Sequence, residues 1–352
     1  MKWGDIFQAN TSRIFMPTDL HQRPLRDLRI SVTDRCNLRC NYCMPLPKYE
    51  WIERREILSY EEITRLAALF IRLGVNEIRL TGGEPLLRKD LDRLVAQLSA
   101  LGGLRELCLT TNGILLAQQA RSLRAAGLTR INVSLDTLRP DRFMKITRWG
   151  ELEKVLDGLF AARREGFSPI KINAVVERGV NDDEILDLVE FARKNGFAIR
   201  FIEYMDVGNS NQWQSNKIVS KKEILGIIHA RYPLGEPDRA DASAPSVDFR
   251  FADGGGDIGV IASVTEPFCS GCTRARLTAD GKLVTCLFSS EGHDLKSLLR
   301  NGVSDEELTQ AIASVWTNRA DRYSDERLEA MKSDRGYQPA QHKKIEMIRL
   351  GG

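Results

Sequence analysis

No apolar run in this chain of 352 residues approaches the roughly 20 residues needed to cross a bilayer. Met1-Lys2-Trp3-Gly4-Asp5 likewise carries no apolar core of a secretory leader. The chain therefore reads as soluble and cytoplasmic. Charge of one sign is also lacking: 51 Lys and Arg face 48 Asp and Glu, a formal charge of +3. That balance leaves no basic footprint for nucleic acid and no polybasic segment for a lipid surface. Low-complexity tracts and repeats longer than a strand–helix unit are missing. Cysteine is sparse and odd in number, seven in all, and six of the seven fall into two compact groups. This is the pattern of metal ligands in a reducing compartment and not of a disulfide framework. Cys108, the seventh, stands between Leu107 and Leu109 and reads as an inert strand residue. The chain has length to spare, enough for two or more hydrophobic cores.

The first cysteine group is Cys36, Cys40 and Cys43, spaced C-x3-C-x2-C. Three ligands are one short of a closed site. Structural zinc normally takes four ligands, and so does the cubane of an ordinary ferredoxin. With no fourth Cys or His nearby, one metal corner is left for a ligand from outside the protein. A zinc knuckle or three unrelated buried thiols are the plain alternatives. Tyr42 precedes the third cysteine, and Thr81-Gly82-Gly83-Glu84-Pro85 ends an apolar alternating run. The paired glycines let backbone approach a ligand with no Cβ in the way. Together these motifs resemble the radical S-adenosylmethionine superfamily. The resemblance implies an open 4Fe–4S cluster that chelates S-adenosylmethionine and cleaves it to a 5′-deoxyadenosyl radical.

Between residues 29 and 204 short β-rich runs alternate with amphipathic helices. The runs are Arg29 to Thr33, Glu77 to Thr81, Glu106 to Thr111, Arg130 to Asp136, Ile170 to Val176 and Ile199 to Tyr204. Ser59 with Glu62, and Ser304 with Glu307, have the spacing of capping boxes, while Gly74 and Gly196 stand where helices should stop. Strand–helix repetition argues for a parallel sheet. Within the runs Ile30, Ile78, Leu80, Ile131 and Ile172 alternate with Arg29, Arg79, Asn132, Ser134 and Lys171. Period two puts each set on one face. A parallel sheet covered by helices on both sides should instead be apolar throughout. The reading is an α/β fold, an incomplete (β/α)6 TIM-like barrel with a polar lumen, closed by a smaller C-terminal α+β region. The expected divisions are an N-terminal extension (1–28), the partial barrel (29–205), a C-terminal auxiliary-cluster domain (206–340) and a tail (341–352) ending in Gly-Gly.

Cys269, Cys272 and Cys286 form the second group, C-x2-C-x13-C, again three ligands. His293 could make it a Cys3His zinc site; a second open cubane is the sharper reading. Arg274 and Arg276 share a face of the segment after Cys272. With Arg29, Arg79 and Lys171 on the lumen parity, several cations converge on a cavity. That is costly unless an anion neutralises them, and a polyphosphate suits arginine forks.

Phe268-Cys-Ser-Gly-Cys-Thr-Arg-Ala-Arg, Thr278-Ala-Asp-Gly-Lys-Leu, Cys286-Leu-Phe and the terminal Gly351-Gly352 resemble the GTP 3′,8-cyclase family, which opens molybdenum cofactor biosynthesis. The resemblance spans Leu28 to Gly352. It implies two 4Fe–4S clusters, on Cys36, Cys40 and Cys43 and on Cys269, Cys272 and Cys286, the second touching guanine. It also implies an S-adenosylmethionine site lined by Tyr42, Gly83, Ser134 and Met205, and GTP bound by Arg29, Arg79, Thr110, Lys171, Arg274 and Arg276. Arg274, Arg276, Gly351 and Gly352 would support catalysis. Hydrogen would leave C3′ of GTP, and C3′ would join C8 to give 3′,8-cyclo-7,8-dihydro-GTP. Implied partners are a flavodoxin- or ferredoxin-type reductant and, downstream, cyclic pyranopterin monophosphate synthase. A monomer and a homodimer both fit. Glu77 departs from the family pattern, since a basic residue is expected there. Two other classes compete: a peptide-modifying radical enzyme, which usually carries more C-terminal cysteines, and a non-catalytic zinc module.

Overall fold

The computed structural model describes residues 16–238, 243–333 and 337–351, so Gly352 and residues 1–15 lie outside the described residues. Twelve strands form one sheet: β1 (Asp27–Ser31), β2 (Glu77–Thr81), β3 (Glu106–Thr111), β4 (Arg130–Ser134), β5 (Ile170–Val176), β6 (Ala198–Glu203), β7 (Leu234–Asp238), β8 (Val247–Phe251), β9 (Asp257–Ile261), β10 (Arg274–Leu277), β11 (Lys282–Val284) and β12 (His293–Asp294). Helices α1 (Tyr60–Arg72), α2 (Leu91–Ser99), α3 (Leu116–Ala125), α4 (Pro140–Thr147), α5 (Leu152–Arg164) and α6 (Ile185–Asn195) join the first six strands. Beyond them come α7 (Lys221–Arg231), α8 (Leu295–Arg300), α9 (Asp305–Thr317), α10 (Tyr323–Lys332) and α11 (Met347–Leu350).

Strands β1 to β6 run parallel in chain order. The sheet then grows at both edges with strands from beyond residue 205: β10 pairs parallel with β1, and β9 parallel with β6. Antiparallel β11 and β12 finish one edge, β8 and β7 the other. The C-terminal strands thus extend the same sheet and build no second one.

Register explains why the two faces differ. Ile30, Leu80, Leu109, Ile131 and Ile170 lie opposite one another in a row across five strands. All are buried, with helix residues such as Leu66, Phe70, Leu94, Leu123, Val155, Leu159 and Leu188 in the same core. One residue along, the other face carries Arg276, Arg29, Arg79, Cys108 and Arg130 in an equivalent row. Each fully buried Leu, Ile or Phe stabilises the fold by about 1.5–3 kcal/mol. The apolar face therefore holds the sheet to its helices, and the polar face is left for function.

The helices begin and end where local chemistry dictates. Ser59 Oγ accepts from Glu62 N (3.1 Å) while Glu62 Oε2 accepts from Ser59 N (2.7 Å), closing a capping box at α1. Ser304 and Glu307 do the same at α9, and Ser220 and Glu223 at α7. Gly74, at φ 106°, takes the chain out of α1 in a conformation other residues avoid. Trp316 at the end of α9 donates from Nε1 to Arg23 O (3.0 Å), which ties the C-terminal helices to the N-terminal extension.

Candidate functional site

The polar face lines a cavity of about 570 Å³, and both cysteine triads open onto it. Cys36, Cys40 and Cys43 lie on the loop between β1 and α1. Met44 N donates to Cys40 O (2.7 Å) and Leu38 N to Cys36 Sγ (3.4 Å), so the loop wraps around its own sulfurs. Arg39 pins it from outside, donating to Cys36 O and Leu38 O (2.8 Å each) beneath the rings of Trp51 and Trp149. The glycine motif docks on the same loop: Gly83 N donates to Thr33 O and Glu84 N to Arg35 O, both 2.7 Å. A Cβ on Gly83 would stand 2.7 Å from Asp34 O and closer still to Arg35 O, so only glycine fits.

Burial pushes the Cys36 thiol up to about 11 and Cys43 to about 12, with Cys40 also well above its usual value. Thiols raised in this way become thiolates when a metal displaces their protons. Three thiolates on one zinc would sit about 3.8 Å apart, given a 2.3 Å Zn–S bond and tetrahedral angles. Among the described residues only Glu77, Glu106 and Cys108 bring three ligand atoms within 4.8 Å of one another. Neither cysteine triad has all three sulfurs gathered within that distance. The Glu77 and Glu106 carboxylates are engaged by arginines, and Cys108 is fully buried.

Beside the first triad Tyr42 Oη donates to Asp136 Oδ2 (2.7 Å), and Val175 N to Asp136 Oδ1 (2.8 Å). Burial pushes the Asp136 carboxyl up to about 6. Ser134 and Met205 also line the cavity wall, with Ser263 Oγ 3.7 Å from Met205 Sδ. Glu84 accepts from Thr111 Oγ1 and Asn112 N, both 2.7 Å, and from Leu86 N at 3.0 Å. Its carboxylate thereby fixes the turn that follows the paired glycines.

In the second triad Cys272 N donates to Cys269 O (3.1 Å), and Cys286 joins them at the cavity wall. His293 does not. It is an exposed residue of β12 and lines a separate depression with Ser289 and Glu291. The Cys3His reading fails on that placement, because the strand it occupies pairs with β11 on the outer side. Burial pushes the Cys272 thiol up, yet the Arg274 and Arg319 guanidiniums overcome this and bring it down to about 6.

Between the triads runs the arginine row. Arg29 lies in register with Arg276 on one side and Arg79 on the other, and neighbouring strands are only about 4.8 Å apart. Arg79 and Arg276 are 8 and 4 % exposed. Arg79 Nη1 and Arg276 Nε are buried donors without a partner. Buried cations at that spacing repel, and their unused N–H groups call for an anion. Arg274 donates to Ser243 O (3.0 Å) over the Phe268 ring. Glu77 is engaged: Arg79 Nη2 lies 2.8 Å and Arg130 Nη2 3.3 Å from its Oε1, and Arg130 also meets Glu106 at 2.8 Å. Thr110 lines the cavity, whereas Lys171 stands in register beside Asn132 without reaching the lining. Gly351 arrives from the tail: at φ 72° it packs on Thr81, and a Cβ there would sit 3.1 Å from Gly82 N. Gly352 is outside the described residues.

Residues 30–192 match the model of the Radical SAM superfamily, and residues 197–325 match that of Molybdenum Cofactor Synthesis C. A GTP 3′,8-cyclase of Acidothermus cellulolyticus is 50 % identical over 94 % of this chain and 97 % of its own. Those of Xanthomonas axonopodis pv. citri and Aquifex aeolicus are each 46 % identical, covering 95 and 96 % of this chain and 98 and 100 % of their own. The chain belongs to the GTP 3′,8-cyclase family. It is an enzyme of the radical S-adenosylmethionine class, and the competing peptide-maturase and zinc-module readings fall. Streptococcus suis SuiB bound to S-adenosylmethionine shares the fold, with a TM-score of 0.59 at 15 % identity over 84 % of this chain and 69 % of that one. SuiB bound to its precursor peptide SuiA gives 0.60 at 16 % identity over 87 and 67 %.

For a GTP 3′,8-cyclase the cavity contains residues the motifs alone did not single out. Arg200 reaches it from β6, paired with Asp248 at 3.1 Å, and Arg130 reaches it from β4. Both lie on the polar parity, Arg200 against Ile199 and Phe201, so alternation would have found them. Arg319 and Asp321 are cavity residues too. They lie in an α9–α10 linker, where no periodicity marks a charge as inward.

Proposed function

We propose that this cavity converts GTP to (8S)-3′,8-cyclo-7,8-dihydroguanosine 5′-triphosphate, the first step of molybdenum cofactor biosynthesis. The observation that carries the reading is the arginine row Arg276–Arg29–Arg79 spanning one cavity between two cysteine triads. Cys36, Cys40 and Cys43 would hold the cluster that binds S-adenosylmethionine, and Cys269, Cys272 and Cys286 the second cluster, facing the purine. When bound, the first cluster and its cofactor would supply the 5′-deoxyadenosyl group that takes hydrogen from C3′; C3′ would then join C8, and one electron from the reductant with one proton would complete the 7,8-dihydro product.

The chain's own residues bind, orient and exclude water. Tyr42, Gly83, Ser134 and Met205 seat the cofactor; Asp136 fixes Tyr42. Arg29, Arg79, Thr110, Arg274 and Arg276 neutralise and orient the triphosphate, with Lys171 beside them. Donors already fixed by the sheet need no rearrangement when the anion arrives. Holding ribose and purine in one geometry turns cyclisation into a positioned intramolecular step. Arg274 and Arg276 place the nucleotide, Gly351 brings backbone where a side chain would not fit, and Gly352 would support catalysis with it. The architecture behind this is a (β/α)6 partial barrel whose polar lumen the C-terminal region covers. A flavodoxin- or ferredoxin-type protein would deliver the electron, and cyclic pyranopterin monophosphate synthase would take the product, in the cytoplasm. Anaerobic incubation with S-adenosylmethionine, dithionite and GTP tests the reading. It predicts 5′-deoxyadenosine and the cyclised nucleotide in equal amounts; 5′-deoxyadenosine that forms equally without GTP would count against it.

A further inference from the structure

The second triad is gripped by an ion network centred on the buried Arg319. Arg319 is 4 % exposed. It donates from Nη1 to Cys272 O at 2.7 Å and from Nη2 to Cys272 Sγ at 3.2 Å. Among the described residues it is the one side chain donating to a sulfur of this triad. Its position is fixed on three sides: the Trp316 ring lies 4.6 Å from its guanidinium carbon, Asp19 3.3 Å from Nη1 and Asp321 3.2 Å from Nε. Arg23 completes the grip, donating to Cys269 O (2.7 Å) and Asp321 O (2.9 Å) while paired with Asp19 at 2.6 Å.

We propose that Arg319 and Asp321 set the reduction potential of the second cluster, acting as opposed charges beside its ligand sulfur. The proposal rests on the assignment of that cluster to Cys269, Cys272 and Cys286. Reduction adds one electron to a group already made negative by three thiolates. A fixed guanidinium hydrogen-bonded to one of those sulfurs favours the reduced form, and a carboxylate in the same wall opposes it. Arg319 is buried, so its charge is poorly screened, whereas Asp321, with 29 % of its side chain exposed, is partly screened by water and acts more weakly. Arg319 is thus a positioning and tuning residue, acting on the cluster through Cys272.

The test is a dithionite titration with redox mediators, followed by electron paramagnetic resonance, on the wild-type, Arg319→Gln and Asp321→Asn holoenzymes. In Arg319→Gln the reduced-to-oxidised ratio of the second cluster at a fixed potential should fall about tenfold, a shift of about 59 mV for one electron. In Asp321→Asn the same cluster should move the opposite way, and the first cluster should hold its potential in both. If Arg319→Gln fails to retain the cluster, the direction in Asp321→Asn decides. A second potential that is unmoved, or that moves the same way in both variants, overturns the tuning role and leaves the cluster assignment standing. A wild-type protein with iron for one cluster only overturns the assignment, and the proposal with it.

Discussion

Arg276 shows how a single residue can be costly to the fold and useful to the reaction. It sits in register with Arg29, its Nε lacks a partner, and burial lowers its affinity for its own proton, with Arg274 adding to the effect, to about 10. An anion that completes these contacts gains about 1.5–3 kcal/mol for each charge-assisted bond. Arg276→Ala should therefore weaken GTP binding by roughly ten- to a hundredfold. Because burial and the neighbouring Arg274 disfavour the wild-type charge, the melting temperature should hold or rise; a fall in melting temperature with GTP affinity intact would make Arg276 structural. Lys171 gives a pH signature. Burial, then Arg200 and Arg130, bring its ammonium down to about 8. Although Lys171 stands behind the lining, its charged form adds to the field that attracts phosphate and is lost as pH rises through that value, so GTP affinity should decline modestly between about pH 7 and 9. Lys171→Arg, which stays charged, should flatten the titration curve.

At the scale of elements, the tail is anchored far better than a terminal segment usually is. Lys344 Nζ donates to Asp206 O and Oδ2, 2.9 Å each, and Tyr323 Oη to the same carboxylate at 2.7 Å; Tyr337 and Arg327 also reach it. Ile345 N donates to Ser289 O at 2.9 Å. From that anchorage α11 delivers Gly351 to Thr81 and Gly82, at the edge of the cofactor motif. Deleting Gly351 and Gly352 should leave iron content, S-adenosylmethionine binding and melting temperature unchanged while cyclisation stops. Wild-type turnover by the 350-residue chain would refute the role of the tail.

The central strands were legible in the sequence because a sheet with one polar face writes its parity into every strand. Alternation alone marks Arg29, Arg79, Asn132 and Ser134 as lining residues, though Lys171 on the same parity stays behind the wall. What parity cannot give is strand order, so the pairing of β10 with β1 and β9 with β6, decided by long-range contacts, was not visible. Nor was β7, an exposed edge strand carrying Pro237. Arg23 and Arg319 escaped for a different reason: each lies far in sequence from the cysteines it grips, and a lone arginine reads as surface charge.

At the scale of the whole molecule, one cavity joins two triads to which the proposed function gives different tasks. Cys40→Ala should abolish 5′-deoxyadenosine formation, since it strips a ligand from the cluster that binds the cofactor. Cys286→Ala should still release some 5′-deoxyadenosine while losing the cyclised nucleotide. Equal loss of both activities in two folded variants would contradict that division.

The central claim is that cofactor and GTP share the cavity so closely that hydrogen passes directly from C3′ of the ribose to the cofactor's 5′ carbon. Mass analysis of 5′-deoxyadenosine formed anaerobically from GTP deuterated at C3′ tests it most directly. The account predicts one deuterium in each 5′-deoxyadenosine that accompanies a cyclised nucleotide. Unlabelled 5′-deoxyadenosine formed alongside the cyclised product would contradict it.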